Sequence, residues 1–284
     1  MNSSLLKNVL LFGGVALVVG VAGVALWQRW LPPIVVADAP APGPVAQAPA
    51  DAPVPAPAAS AAQPPVLYPL EVAASGPEPL EPRQWKDALY DLLGRRAVLT
   101  HLQLDDLPRR IVATVDNLGR SHAPAALWPV NPAEDRFRVE TRGGKTVIAA
   151  DNARRYAPLI ALVESVDAAE AVDLYVRMYP ELQRAYAQLG FPHSYFNDRL
   201  VEVIDGWLAL PVPEQPLEVR LTEVKGPIPS ARPWVRYELA DPALESLPAG
   251  QKILLRLGPQ HQRRLQAKLA EFRSELMRNV EGTR

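Results

Sequence analysis

The side chains best suited to contact a partner are arginines and tyrosines that stand among turn signals. Arg109, Arg155, Tyr156, Tyr195 and Arg199 are of this kind. A guanidinium group binds carboxylates and phosphates through paired hydrogen bonds, and tyrosine combines a large contact area with a polar end. These residues predict a surface that binds an anionic glycan or a protein partner.

Carboxylates offer a second chemistry, because paired acids hydrolyse glycosidic bonds when their separation is right. The candidates are Asp106, Asp116, Asp167, Asp173 and Asp198. Aspartates beside proline and glycine also serve as turn and helix-cap residues. The separation of the carboxylates, on which this chemistry depends, cannot be read from the sequence. An envelope hydrolase therefore stays the alternative to a binding module.

A metal site is the third possibility. His101 and Asp105 are four residues apart and Asp106 follows, a spacing that presents metal ligands on one face of a helix. The two aspartates also precede an apolar helical stripe, where an aspartate accepts backbone N–H bonds. We interpret them as caps. Metalloprotease, P-loop, dinucleotide-binding and serine-hydrolase motifs do not occur in the sequence, so we expect no metal and no cofactor.

Composition narrows the function further. The chain has 284 residues, a formal charge of −1 and no cysteine. Thiolate catalysis and disulfides are therefore excluded, and the lack of a basic excess argues against a nucleic-acid partner. The arginine pairs at 95–96, 109–110, 154–155 and 263–264 are interpreted as solvated helix faces.

Helical periodicity dominates the elements that must position these residues. The pattern predicts helices over 85–93 and 107–118, from 151 or 152 to 165, and from Asp167 towards 178, where Pro180 breaks or kinks the chain. Ser194 is predicted to cap the next helix. A final helix over 259–280 carries leucine and phenylalanine at 4,3,4 spacing, and we expect it to dock on the domain rather than to form a coiled coil.

Two places predict strands. Residues 137–140 and 146–149 flank Gly143 and Gly144, which indicates a hairpin. Residues 217–224 alternate between apolar and polar, and 234–239 continue that pattern beyond a Pro/Gly break. One small antiparallel sheet is the expected result.

The first thirty residues carry a membrane signal. Residues 9–27 contain no charge, and nineteen helical residues span roughly 30 Å, the thickness of a hydrocarbon core. A cleaved signal peptide is the alternative, but its apolar region is shorter. Lys7 precedes the run and no Lys or Arg lies between Arg29 and Arg83, so the positive-inside rule predicts a cytoplasmic N-terminus and a periplasmic C-terminal domain at the bacterial inner membrane.

Small residues line one face of this predicted membrane helix. They are Gly13, Ala16, Gly20 and Gly23. Close backbone packing in lipid uses such a face, so a homodimer through the membrane helix is one possible assembly.

Residues 32–82 have the composition of a tether. They hold 15 of the 31 prolines, five acids and no Lys or Arg. Such a segment buries too little apolar surface to fold, and its prolines favour an extended conformation. We expect a linker that holds a domain away from the bilayer, with residues 66–70 as a candidate for local docking.

Four stretches, taken in order, resemble a known family. They are DDLPRRIVATVDNL (105–118), LWPV (127–130), YFNDRLV (195–201) and AGQKILLRLG (249–258). Together they resemble the bacterial family called domain of unknown function 3014, over residues 84–280. The resemblance implies an envelope-associated protein with one N-terminal span, and it carries over no activity. It places these residues in family motifs: Asp106, Arg109, Arg110, Asp116, Asn117, Trp128, Asn197, Asp198 and Arg199.

The predicted architecture has four parts. Residues 1–8 are cytoplasmic, 9–31 form a transmembrane helix, 32–82 form a disordered Pro/Ala linker, and 83–284 form a periplasmic, mainly α-helical α+β globular domain with a small antiparallel sheet. The predicted function is that of a membrane-anchored binding or scaffolding module. Its membrane contact is through residues 9–31.

Overall fold

The computed structural model describes residues 65–70, 78–222 and 233–282. The predicted membrane helix, with Gly13, Ala16, Gly20 and Gly23, lies outside the described residues, as does most of the predicted linker. In the ranges that are described, every helix is too short or too polar to cross a bilayer. The membrane anchor therefore stays a prediction.

The described region is mainly helical. Its helices are α1 (Trp85–Leu93), α2 (Arg95–His101), α3 (Leu107–Leu118), α4 (Ala153–Glu164), α5 (Ala168–Gln188), α6 (Phe196–Leu208), α7 (Pro242–Glu245), α8 (Ala249–Arg256) and α9 (Pro259–Gly282). Single 3₁₀ turns lie at Pro82–Gln84, Ala125–Leu127, Ala150–Asn152 and Pro233–Val235.

A bundle of long helices forms the core. Helix α9 packs against α4, α5 and α6, and α3 packs against α5 and α6 on the other side. Leu265, Leu269, Phe272 and Leu276 of α9 are all at most 2% exposed. This confirms that the 4,3,4 apolar stripe of the last helix docks on the domain, because the stripe is the face that the bundle removes from water.

Several predicted helix boundaries are confirmed. Helix α1 has the predicted bounds and ends at Gly94, whose positive φ of 77° suits glycine. Asp167 caps α5, since one of its carboxylate oxygens accepts hydrogen bonds from the backbone N–H groups of Ala169 and Glu170. The predicted break at Pro180 is wrong, because Pro180 lies inside α5 and the helix continues past it to Gln188.

Two predicted caps are wrong. Asp106 holds the N-cap position of α3, but its backbone is left-handed with φ of 52° and its side chain accepts no capping bond. Its carboxylate lies beside Arg109, and that of Asp105 binds Arg110. At the start of α6 the cap position belongs to Tyr195, and Ser194 makes no side-chain cap. At Asp106 a nearby arginine holds the carboxylate, and at the start of α6 the side chain of Gln183, from α5, accepts the backbone N–H of Phe196.

Two small antiparallel sheets replace the single predicted sheet. Strands β1 (Val139–Arg142) and β2 (Lys145–Ile148) form the predicted hairpin around Gly143 and Gly144, which have φ of 58° and 79°. Strands β3 (Val219–Leu221) and β4 (Tyr237–Leu239) form the second pair. A single bridge between Val147 and Glu218 joins the pairs, so the ladders meet without merging into one sheet.

Candidate functional site

The first turn of α6 holds an early part of the chain. The Asp198 carboxylate accepts hydrogen bonds from two consecutive backbone N–H groups, those of Leu67 at 3.0 Å and Tyr68 at 2.8 Å. The side-chain amide of Asn197 donates to the carbonyl of Tyr68 at 2.8 Å. We call this pair the Asn197–Asp198 clamp. All three bonds go to the main chain, so the clamp recognises an extended backbone rather than particular side chains.

Helix α5 positions the clamp. Gln183 accepts a hydrogen bond from the first backbone N–H of α6, at Phe196, and donates one to the carbonyl of Ser194. Asn197 is fully buried, and its amide oxygen accepts a bond from the hydroxyl of Tyr175 at 3.0 Å. Because the hydroxyl takes the oxygen, the nitrogen of the Asn197 amide faces the Tyr68 carbonyl.

The tyrosines beneath the clamp are neutral donors. Burial raises the pKa of Tyr175 well above its usual value, and the nearby tyrosine Tyr179 and carboxylate Asp198 raise it further. Burial also raises the pKa of Tyr179, whose hydroxyl donates to Gln183. The hydrogen bonds that orient Asn197 and Gln183 are therefore intact across the physiological pH range.

Arg199 points away from the clamp into the interface between α3 and α6. It donates to the backbone carbonyl of Asp116 at 2.7 Å and to the carboxylate of Glu202 at 2.7 Å, and its Nε lies 3.6 Å from the Asp116 carboxylate. Asp116 is buried and also accepts a bond from Arg120. Arg199 therefore joins two helices, and little of it remains on the surface.

Arg110 and Trp128 close a loop on α3. The Arg110 guanidinium donates to the carbonyl and carboxylate of Asp105, both at 2.8 Å, and to the carbonyl of Ala126 at 2.9 Å. It also reaches the carbonyl of Trp128, whose ring is buried in the core. Arg110 and Trp128 therefore stabilise the packing of this loop and do not form an exposed binding surface.

The remaining predicted site residues on α3 and α6 lie at the surface. Asp106 and Arg109 form an ion pair at 3.6 Å, and their side chains are 60% and 67% exposed. Tyr195 is 38% exposed at the start of α6. These three side chains are accessible to a partner.

Arg155 lines an open cleft of about 860 Å³ between α1, α2 and α4. Its guanidinium donates to the carbonyls of Glu134 and Asp135 and to the hydroxyl of Tyr156. The cleft also contains Arg96, His101, Arg138, Asp151 and Arg154, and we call it the arginine cleft.

Two ionisable rings in and near the arginine cleft are neutral at pH 7. Burial raises the pKa of Tyr156 to about 12, and the Arg155 guanidinium lies 5.3 Å from the centre of its buried ring. Burial lowers the pKa of His101, against the opposing effect of Glu134. The positive charge of the cleft therefore comes from its arginines.

Two of the proposed catalytic carboxylates, Asp106 and Asp116, lie too far apart to act as a pair. Asp106 and Asp116 are ten residues apart on α3, which separates them by about 15 Å, more than the spacing that glycoside hydrolysis uses. Both carboxylate oxygens of Asp198 accept hydrogen bonds from the backbone N–H groups of residues 67 and 68. In the described part of the chain no three His, Asp or Glu side chains gather in a way that could hold a metal ion.

The structure also identifies contributors that the sequence did not single out. Gln183 and Tyr175 orient the clamp, and Arg96, Arg138 and Arg154 line the arginine cleft. Two of those arginines belong to pairs interpreted from sequence as solvated helix faces. The two arginine pairs were visible in the sequence, but only the tertiary structure shows that Arg96, Arg154 and Arg155 line one cleft while Arg95 lies outside it.

Comparison with known proteins gives one match. No curated protein and no solved structure matches this chain. The family model described as "Protein of unknown function (DUF3014)" matches residues 107–273, more than half of the chain and most of the helical bundle. The chain therefore belongs to the DUF3014 family of proteins of unknown function.

Proposed function

We propose that this chain is a single-pass, membrane-anchored envelope protein whose folded part is a binding or scaffolding module. In this proposal residues 9–31 lie in the bacterial inner membrane, residues 32–82 form the arm, and the folded part lies in the periplasm. The uncharged run of residues 9–27 and the absence of Lys and Arg between Arg29 and Arg83 support this arrangement.

The observation that carries the proposal is the Asn197–Asp198 clamp. It fixes residues 67 and 68, near the end of the proline-rich arm, to the first turn of α6. A tether that only had to connect two parts would need no such attachment. A clamp that holds the arm by its main chain sets the direction in which the arm leaves the folded module.

A second attachment follows a few residues later. The backbone N–H of Leu80 donates to the carbonyl of Arg177 on α5 at 2.9 Å, and the Arg177 side chain donates to the carbonyl of Glu78. The indole of Trp85 donates to the carbonyl of Leu80. The arm is therefore held by α6 at residues 67 and 68 and by α5 at residues 78 and 80.

Two surfaces remain for a partner in this proposal. One is formed by the exposed pair Arg109 and Asp106, and the other is the arginine cleft. Tyr195 is a further exposed side chain at the start of α6. Tyr156 is buried and the Arg199 side chain is only 16% exposed, so a crosslinker placed there would report on packing rather than on a partner. Exposed positions are the appropriate ones for capturing the proposed protein or anionic glycan.

Topology is tested first. Alkaline phosphatase fused to the C-terminus is expected to be active in the periplasm, and the full-length chain is expected to stay in the membrane pellet after carbonate washing. Cytoplasmic reporter activity, or a soluble chain lacking its first thirty or so residues, would overturn the anchor.

Binding is tested by photocrosslinking in cells. A crosslinking amino acid at Arg109, Tyr195 or Arg154 is expected to capture a discrete adduct, because these side chains are exposed. The same amino acid at Arg142, at the exposed end of β1, is the matched control. If all four positions give the same background, the binding-module proposal fails.

A further inference from the structure

The arginine cleft concentrates positive charge around one carboxylate. Asp151 accepts from Arg138 at 2.7 Å, and Arg154 lies 3.4 Å from the same carboxylate oxygen. Arg155 binds only the neutral oxygens of two carbonyls and a hydroxyl. Two guanidinium groups thus contact a single carboxylate at the start of α4, and a third lines the same cleft.

The opposite wall adds another cation. Arg96, on α2, makes no ion pair within the described ranges, and it lines the same cleft. Glu134 and Asp135 also line the cleft, and both are exposed to solvent. With His101 neutral, four arginines face three carboxylates, and the excess charge lies at the arginine end near Asp151.

The wall between the charges is aliphatic. Leu92, Leu93, Ala97, Pro158, Leu159 and Leu162 line it. No Phe, Tyr or Trp side chain is among the described residues that line the cleft, so the large rings on which nucleobases usually stack are missing from its described lining. Low-dielectric walls strengthen the field of the arginines inside the cleft.

We propose that the arginine cleft binds an anion carrying two or more negative charges, whose phosphoryl or carboxylate groups replace Asp151 as partners of Arg138 and Arg154. Guanidinium groups suit this role, because they bind both oxyanions through paired hydrogen bonds. Arg96 contacts the far end of the same ligand. This inference specifies the ligand of the proposed binding module and rests on that proposal.

The test is calorimetric titration of the full-length chain in non-ionic detergent at pH 7.5. Pyrophosphate probes phosphoryl groups and tricarballylate probes carboxylates. Arg96→Gln and Arg154→Gln each remove one cation from the cleft, and Arg154 is 80% exposed, so its replacement leaves the fold intact. Arg95→Gln is the matched control, because it removes the same charge from the same helix, where Arg95 lies over Tyr90 outside the cleft.

Asp151→Asn is expected to change the affinity for the anion in the opposite direction. It removes the carboxylate that competes for Arg138 and Arg154, so the anion is expected to bind about threefold more tightly. Arg96→Gln and Arg154→Gln are each expected to weaken binding about fivefold, and Arg95→Gln to leave it unchanged. A protein damaged by substitution would lose affinity in every variant, so tighter binding by Asp151→Asn separates a ligand site from a structural ion pair.

Each outcome decides the question. Binding of pyrophosphate or of tricarballylate with this pattern supports the site and identifies the preferred group. Binding of neither probe, or equal affinities of the Arg96→Gln, Arg154→Gln and Arg95→Gln variants, overturns it. If crosslinking in cells still captures a partner, the binding module stands and only its anionic ligand is wrong.

Discussion

The side-chain amide of Asn197 donates a hydrogen bond to the backbone carbonyl of Tyr68, which lies 129 positions earlier in the chain, at 2.8 Å. The same amide accepts a bond from Tyr175, so a fully buried side chain links the arm of the protein to its helical core. A buried amide that lost either partner would carry an unsatisfied group. The docking of residues 65–70 is therefore coupled to the packing of α5 against α6.

Replacement of Asp198 by Ala should release the arm from the clamp. Two backbone N–H groups lose their acceptor, and we expect the free energy of unfolding to fall by about 1–3 kcal/mol. Limited proteolysis should cut residues 65–82 faster while α3 to α9 stay protected. Glu202→Gln, on the same helix with a 68% exposed side chain, is the control and should leave the cutting rate unchanged. Equal protection of the arm in Asp198→Ala would contradict the role of the clamp.

Replacement of Gly119 by Ala should be destabilising, although its backbone (φ of −83°, ψ of 0°) accepts alanine. An added Cβ would lie 2.7 Å from Cζ of Arg199, whose side chain is fixed by Asp116 and Glu202. We expect a cost of about 1–3 kcal/mol in urea unfolding.

The cost of Gly119→Ala should shrink in an Arg199→Ala background, because the clashing group is gone. Gly206→Ala is a second control. Its Cβ would meet only the flexible end of Gln251 at 3.3 Å, and alanine favours the helix interior by about 1 kcal/mol. We expect it to be neutral or stabilising. An unchanged penalty in the double variant would show that Arg199 is not the obstacle.

The pH dependence of stability should report on His261. Burial lowers its pKa below the usual value of about 6.5, with Arg264 acting in the same direction, while its bond to the Ala153 carbonyl and the Glu164 carboxylate oppose the shift. The folded state thus favours the neutral ring. The contribution of His261 to the free energy of unfolding is fully present above pH 6.5. It is lost as the pH falls below that value, because the unfolded chain takes up the proton first.

His261→Gln keeps an N–H donor for Ala153 and does not titrate. Between pH 7 and 5.5 its free energy of unfolding should fall less than that of the wild-type chain, by no more than about 1.4 kcal/mol per pH unit. The carboxyl groups whose pKa is lowered, at Asp105, Glu164 and Glu245, respond at lower pH. His193→Gln, at an exposed turn, serves as control. Identical pH profiles for His261→Gln and the wild type would contradict this assignment.

Replacement of Leu269 by Ala tests the docking of α9. The side chain is fully buried, so we expect a loss of about 2–5 kcal/mol in the free energy of unfolding. Leu99→Ala, at a 56% exposed position, should change stability by less than about 0.5 kcal/mol.

The midpoint of thermal unfolding should not depend on protein concentration. A concentration-dependent midpoint that Leu269→Ala abolishes would instead support a coiled coil between chains.

Local signals predicted the elements well where one face of the chain had to be buried. The bounds of α1, the cap at Asp167 and the glycine turn of the hairpin are all set by neighbours within four residues. The caps at Asp106 and Ser194 failed for two different reasons. The Asp106 carboxylate lies beside Arg109 in the same helix instead of accepting backbone bonds. At the start of α6 the side chain of Gln183, from α5, accepts the N–H of Phe196, a contact that the local pattern does not show.

The candidate site shows the same division. Residue types alone marked Arg155, Asn197, Asp198 and Arg199 as polar groups worth attention, and they identified the arm and its candidate docking stretch. Whether such a residue faces solvent or the interior depends on which helices pack against its side chain. Tyr156 is buried and Arg199 is mostly covered for that reason, although both types suit an exposed surface.

What the sequence by itself determined is the division into an apolar N-terminal run, a proline-rich arm and an amphipathic helical region, because composition and periodicity are properties of neighbouring residues. Only the tertiary structure decided that Asp198 holds the backbone of Leu67 and that Arg96 and Arg154 share a cleft. These pairs are separated by 131 and 58 positions in the chain. Hydrogen bonds and charge act over a few ångströms of space, and the packing of the helices determines which distant residues come that close.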